Sequence, residues 1–208
     1  MMVATDYSQR GEQTYILEAL DGVSAGRFLD VGACHPTCFS NTRALFELGW
    51  SGVMIEPSPG PLQSLLLEYG REPRIQIVAA ALSFETGLAE MHATEDLTST
   101  IDEAHWQRWK TICKFYAKYY VPTLTLADIF NRFGGDFAFV NIDAEGISGR
   151  LAMALLETEC IPRCLCIEHD SLANNRGTGA LDFLARQRGY RQVHCNGENV
   201  IYGLPRAE

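Results

Sequence analysis

The chain has 208 residues, enough for one domain with a full hydrophobic core and too few for two comfortable ones. Apolar residues make up 47% and charged residues 21%, and the net charge of −9 disfavours nucleic acid or anionic membrane as a partner, since both are held by a positive field. No stretch approaches the ~20 uncharged apolar residues that span a bilayer, and Met1 to Gln13 carries Asp6, Arg10 and Glu12 where a signal peptide needs an apolar core.

In chain order, Tyr15 to Leu20 has helical spacing, and Arg27 to Gly32 reads as a buried strand running into a glycine turn. Thr42 to Leu48 is helical and stops at Gly49, and Gly52 to Glu56 is an apolar strand ending on a carboxylate. Pro57, Pro59 and Pro61 open a helix that runs to about Tyr69. Ile75 to Leu82 is a third strand, with Leu88 to His92 as its hairpin partner. Residues 93–120 break this rhythm with polar and aromatic residues, including Trp106, Trp109, Tyr116, Tyr119 and Tyr120. A connection this long marks a helical lid or substrate wall; the aromatics fit either sugar stacking or a helix packed on the domain. Val121 to Leu124 is extended, Leu126 to Phe133 helical, and Phe137 to Asp143 is an apolar strand again ending on an acid. Ile147 to Glu157 is a helix, Arg163 to Glu168 a strand ending on a fourth acid, and Leu181 to Arg188 a helix. Gly189 to Cys195 and Val200 to Leu204 form a closing antiparallel pair.

Apolar strands alternating with helices imply a doubly wound, mostly parallel α/β sheet covered on both faces, in one domain spanning 1–208. The seven cysteines contain no C-x-x-C pair and are odd in number, which fits reduced thiols in a cytoplasmic protein better than zinc or disulfides; Cys164 and Cys166 read as core. Oligomeric state stays open, with a homodimer among the options.

Ligands of such sheets bind beyond the carboxyl ends of the strands, where Asp30, Glu56, Asp143 and Glu168 gather. Gly32 permits a sharp turn and close ligand approach, and Glu56 stands where these folds bind two ribose hydroxyls. The first loop, Gly32-Ala33-Cys34-His35-Pro36, lacks the G-x-G-x-x-G of a pyrophosphate site, and no P-loop is present. An adenosine cofactor without phosphate remains, which is the composition of S-adenosylmethionine; Asn41 or Thr42 would meet its carboxylate. His35 fits either a place facing the methyl donor or hydrogen bonds within its own loop.

These residues resemble the FkbM family of methyltransferases from about Tyr7 to Leu204. The likeness rests on Tyr7 to Glu12, Phe28 to Ala33 with Pro36 and Phe39 to Thr42, Gly49 to Pro57, Leu97 to Asp102, Val121 to Leu126, Asn141 to Gly146 and Cys166 to His169. The resemblance implies a Rossmann-like methyltransferase fold with strand order 3-2-1-4-5-7-6, strand 7 antiparallel. It also implies methyl transfer from S-adenosylmethionine to a hydroxyl of a sugar- or polyketide-like small molecule. The cofactor set expected is Asp30, Gly32, Ala33, Asn41, Thr42, Glu56, Pro57, Ala80, Ala81 and Asp143.

A hydroxyl is a poor nucleophile at neutral pH, so a base or a Lewis-acidic metal is needed. Asp143, Glu145, Glu168, His169 and Asp170 are placed for this, with Glu145 equally suited to capping backbone donors. In one arrangement Asp143 or His169 is the base. In the other, similar to macrolide-sugar O-methyltransferases, Asp143 and Glu168 hold Mg²⁺. Two further readings are a nicotinamide-dependent oxidoreductase, which the missing glycines oppose, and a non-catalytic S-adenosylmethionine-binding module.

Overall fold

The computed structural model describes residues 5–94, 98–169 and 178–205. Glu12–Ala19 (α1) leads into Arg27–Val31 (β1), Arg43–Glu47 (α2), Ser51–Ile55 (β2), Pro59–Tyr69 (α3) and Ile75–Val78 (β3). Ala81–Leu82 (β4), Gly87–Thr94 (β5), Glu103–Trp109 (α4), Phe115–Leu124 (β6) and Leu126–Phe133 (α5) follow. The chain continues through Phe139–Ile142 (β7), Ser148–Leu156 (α6), Cys164–Glu168 (β8), Thr178–Gln187 (α7), Arg191–Cys195 (β9) and Asn199–Gly203 (β10).

A seven-stranded sheet runs β3-β2-β1-β7-β8-β10-β9. The pairs from β3 through β8 are parallel, and β10 is antiparallel to both β8 and β9. This is the strand order that the family resemblance implies. Period-two alternation explains why the strands read as unbroken apolar runs. On one face Leu29, Val31, Val53, Ile55, Val140 and Ile142 pack with Ile129, Leu151, Leu155 and Leu181 from the helices. On the other, Phe28, Met54, Phe139 and Cys166 meet Ile16, Leu45, Trp50 and Leu65. Cys164 and Cys166 are fully buried, as their core reading expected. Each such apolar side chain removed from water stabilises the fold by about 1.5–3 kcal/mol.

The region between β3 and α5 differs from expectation. Ile75 to Leu82 is two strands, because Ala80 N–H turns back onto the Val78 carbonyl at 3.0 Å and the chain leaves the large sheet. β4 then joins a second, three-stranded sheet, β4-β6-β5. The Leu88 to His92 strand pairs with β6, from Gly87↔Thr123 to Thr94↔Phe115, and not with the strand before it. The expected helical lid is thus mainly a β ribbon: among the described residues of 93–120, α4 is helical and Phe115 to Tyr120 belong to β6. Residues 95–97 lie outside the described set.

Two caps set the ends of this insertion. Asp102 accepts the His105 N–H at 2.7 Å and starts α4. Thr125 and Asp128 form a reciprocal capping box that stops β6 and starts α5. α4 is fastened to the large sheet by the Arg150–Asp102 pair at 2.9 Å and by the Thr100 hydroxyl on the Glu145 carbonyl at 2.6 Å. His105 packs so tightly on Gly146 that a Cβ there would lie 2.5 Å from its own.

Candidate active site

A cavity of about 450 Å³ opens at the carboxyl ends of the parallel strands, between the large sheet and the second one. Asp30, Gly32, Ala33 and Asn41 from β1 and its loop line it, as do Glu56 and Pro57, Ala81, and Asp143. Thr42, Ala80, Glu168 and His169, also expected at the site, do not line it.

The loop after β1 is latched to β2. Gly32 and Ala33 donate to the Ile55 carbonyl at 2.9 and 3.2 Å. Gly32 has φ +75°, and a Cβ on it would sit 1.8 Å from the Asp143 carbonyl oxygen, so only glycine lets β1 and β7 close here. Glu56 is 4% exposed; its Oε2 accepts from Cys34 N–H at 3.0 Å and its Oε1 from Ser58 N–H at 2.7 Å. Burial pushes its carboxyl above the usual range. The Ser58 side chain also hydrogen-bonds this carboxylate, which lines the cavity.

Asp30 lines the cavity and also ties its floor together. It is buried, accepting from Thr42 Oγ1 at 2.5 Å and from Asn141 Nδ2 at 2.9 Å. Its carboxylate therefore holds the loop and β7 together beneath the cavity, and the Thr42 hydroxyl is engaged there. Asn41 donates to Asn141 Oδ1 at 3.0 Å, while its own Oδ1 is buried with no partner among the described residues. Ala80 is consumed by the turn that ends β3.

At the end of β7, Asp143 is half-buried, and burial together with the neighbouring Glu168 carboxylate holds its carboxyl well above the usual range. Ser148 Oγ donates to Glu168 Oε2 at 2.7 Å and accepts from Ala144 N–H at 2.8 Å. The Asp143, Glu145 and Glu168 oxygens lie within 4.8 Å of one another. Glu145 Oε2 is 3.4 Å from His105 Nε2. His169 is not with them. Its Nε2 lies 2.9 Å from the Asn196 carbonyl and 3.5 Å from Cys195 Sγ, because the chain has left β8 and the ring faces the β9–β10 turn. Asp170 lies outside the described residues. His35 accepts from Thr37 and Cys38 N–H at 3.2 and 3.0 Å, the local use, and does not line the cavity.

The sequence did not point to Gln9, Asn199, Met91, Thr94 or Ser99, which also line the cavity. Tyr116 and Tyr119 stand on β6 at its wall, and Tyr119 shares a hydrogen bond with Ser58, two residues past Glu56. Trp106 lies elsewhere, stacked on His92 at 4.4 Å. Among the described residues no helix is long and apolar enough to cross a membrane.

No curated protein matches the chain. Among solved structures it is similar to methyltransferase FkbM from Methylobacillus flagellatus KT, at 18% identity and a TM-score of 0.53, over 86% of this chain and 44% of that one. It is also similar to the METTL16 methyltransferase domain, at 11% identity and a TM-score of 0.55, over 98% of this chain and 69% of that one. These likenesses speak for the fold alone, and the chain spans less than half of the FkbM structure's length. The family model described as the methyltransferase FkbM domain matches residues 30–191, from Asp30 at the cavity floor to the start of β9. With the loop after β1, Glu56 and Asp143 all inside that span, the chain belongs to the FkbM methyltransferase family.

Proposed function

We propose that the chain transfers a methyl group from S-adenosylmethionine to a hydroxyl oxygen of a small, uncharged, sugar- or polyketide-like acceptor. The observation that carries this is the meeting in one cavity of the Gly32 turn, the Glu56 carboxylate and the Asp143 carboxyl. The residues suit the cofactor. Glu56, at the end of β2 and lining the cavity, stands where a carboxylate accepts from ribose hydroxyls, Gly32 leaves room for close approach, and the unpartnered Asn41 Oδ1 suits an ammonium donor. The short glycine-poor loop offers no cradle for a pyrophosphate, which disfavours the nicotinamide reading.

When bound, the cofactor supplies a methyl on a sulfonium. Asp143 takes the acceptor proton. Its raised proton affinity brings it nearer to the working pH, where a general base is most effective. Tyr116 and Tyr119 offer ring faces, and Thr94 and Ser99 offer hydroxyls, to a hydroxylated ring. A second reading rests on the three clustered carboxylates: Asp143, Glu145 and Glu168 would hold Mg²⁺, which would supply Lewis acidity at the acceptor oxygen.

Glu56→Ala is expected to weaken calorimetric binding of S-adenosylhomocysteine at least tenfold, because each charge-assisted hydrogen bond contributes about 1.5–3 kcal/mol. The melting temperature should fall modestly, since Cys34 and Ser58 N–H lose their acceptor. Unchanged affinity in a folded variant would sink the assignment. Radiolabelled methyl transfer to a panel of neutral sugars separates an enzyme from a binding module.

A further inference from the structure

Ser58 is the N-cap residue of α3, in extended backbone, yet its side chain makes no cap hydrogen bond. Serine is favoured at an N-cap because its hydroxyl accepts from the second or third residue of the helix. Here the first and third residues are Pro59 and Pro61, which carry no N–H, so of the first three only Gly60 can donate. The hydroxyl is used elsewhere. It hydrogen-bonds the Glu56 carboxylate, which also accepts the Ser58 N–H at 2.7 Å, and it shares a hydrogen bond with the Tyr119 hydroxyl. A hydroxyl has one proton, and an ionised carboxylate only accepts. Ser58 therefore donates to Glu56, and Tyr119 donates to Ser58. All members of this chain line the cavity.

Tyr119 belongs to the second sheet, and the topology explains its reach. Glu56 N–H donates to the Val78 carbonyl at 3.0 Å, so the end of β2 lies against the end of β3. β4 begins shortly after, at Ala81, and the Ala81↔Thr123 pairing sets β6 beside it. Thr123, Val121 and Tyr119 alternate onto one side of β6. There Tyr119 packs with Ala81, Met91 and Val121, and Met91↔Tyr119 pairs it across to β5. The phenol oxygen lies in the plane of its ring, so packing that holds the ring also places the hydroxyl.

We infer that Tyr119 is the positioning residue of Glu56: through Ser58 it fixes the carboxylate that accepts the ribose hydroxyls. The second sheet then belongs to the cofactor site as well as to the acceptor wall. The inference rests on the S-adenosylmethionine reading above and extends it to a residue outside the parallel sheet. A carboxylate whose orientation is set before the ligand arrives loses less freedom on binding. Without the Tyr119 hydroxyl, Ser58 can turn to the Gly60 N–H, the ordinary cap of α3, and Glu56 loses a donor.

Calorimetry with S-adenosylhomocysteine on the full chain tests this. Tyr119→Phe keeps the ring and removes only the hydroxyl. It is expected to weaken binding about fivefold, the usual effect of one hydrogen bond, with the melting temperature unchanged. The same substitution added to Glu56→Ala should weaken binding no further, because Tyr119 acts through the carboxylate. Ser58→Ala supplies a second cycle should Glu56→Ala fail to fold, and there too the Tyr119→Phe loss should vanish. A tyrosine that merely packs would give the same loss in every background. Undiminished affinity in Tyr119→Phe, or an equal loss in the Glu56→Ala or Ser58→Ala background, overturns the inference and leaves the cofactor reading standing. Wild-type protein that does not bind S-adenosylhomocysteine overturns both.

Discussion

Asp143→Asn is expected to lower turnover roughly 10²–10⁴-fold, the usual loss for a positioned base, while S-adenosylhomocysteine affinity changes little. In the proposed reaction the carboxylate acts on the acceptor in the transition state, so its removal should act on turnover more than on cofactor binding. Asparagine keeps the shape. It also removes one of two carboxyls held against each other, since Asp143 is raised by both burial and Glu168. The variant should therefore melt at the same temperature or higher. Lost activity with retained or improved stability is what a site built for function predicts, and a misfolded mutant would show the opposite. Repeating the assay with EDTA and then added Mg²⁺ separates the two roles. Restoration by Mg²⁺ in the wild type, with Glu168→Gln failing likewise, supports metal holding. A fully active Asp143→Asn rejects both.

Gly32→Ala should be the most damaging single methyl group in the molecule. Its φ of +75° alone costs about 1–2 kcal/mol for an L side chain. The added Cβ would also meet the Asp143 carbonyl at 1.8 Å, far inside contact distance. β1 and β7 must then separate, which raises the loss to roughly 3–4 kcal/mol and lowers Tm by about 6–16 °C for a chain of this size. Cofactor affinity should collapse with it, because Asp143 and the loop latched to Ile55 move together. Gly49→Ala is the control. Gly49 has φ +92° with nothing within 4 Å of a new Cβ, so it carries the backbone cost without the clash. Equal losses at the two positions would show that the close approach of the strands is unimportant.

The large sheet was legible because its strands are short apolar runs that end on acids. Glu56 and Asp143 could be placed at the site from that pattern alone, since a strand end in a parallel sheet has a fixed address. The second sheet was not legible. Ile75 to Leu82 is continuously apolar, and nothing in such a run marks where a chain leaves one sheet and enters another. β6 does alternate, with Lys118 and Tyr120 exposed between more buried neighbours, but its aromatics also satisfied helical spacing. His169 follows Glu168 in sequence, yet the ring faces Asn196, an orientation set by the returning hairpin. Thr42 was a reasonable donor whose hydroxyl Asp30 had already taken. Asn199 carries no local signal, because its place depends on the buried Glu12 carboxylate, to which its Nδ2 donates across 187 positions.

The bond from Asn141 to Asp30 beneath the cavity joins residues 111 positions apart. Closing so long a loop has an entropic cost that local contacts do not share, and pairings of this kind dominate slow folding. β7, α6 and β8 form a compact local unit, whereas β1 must wait for its central neighbour until the whole second sheet has been threaded between them. The binding floor is therefore among the last parts to assemble. In refolding, helical circular dichroism should recover well before the ability to bind S-adenosylhomocysteine. During that interval the unpaired flank of β7 is an open strand edge, and aggregation should compete most strongly there.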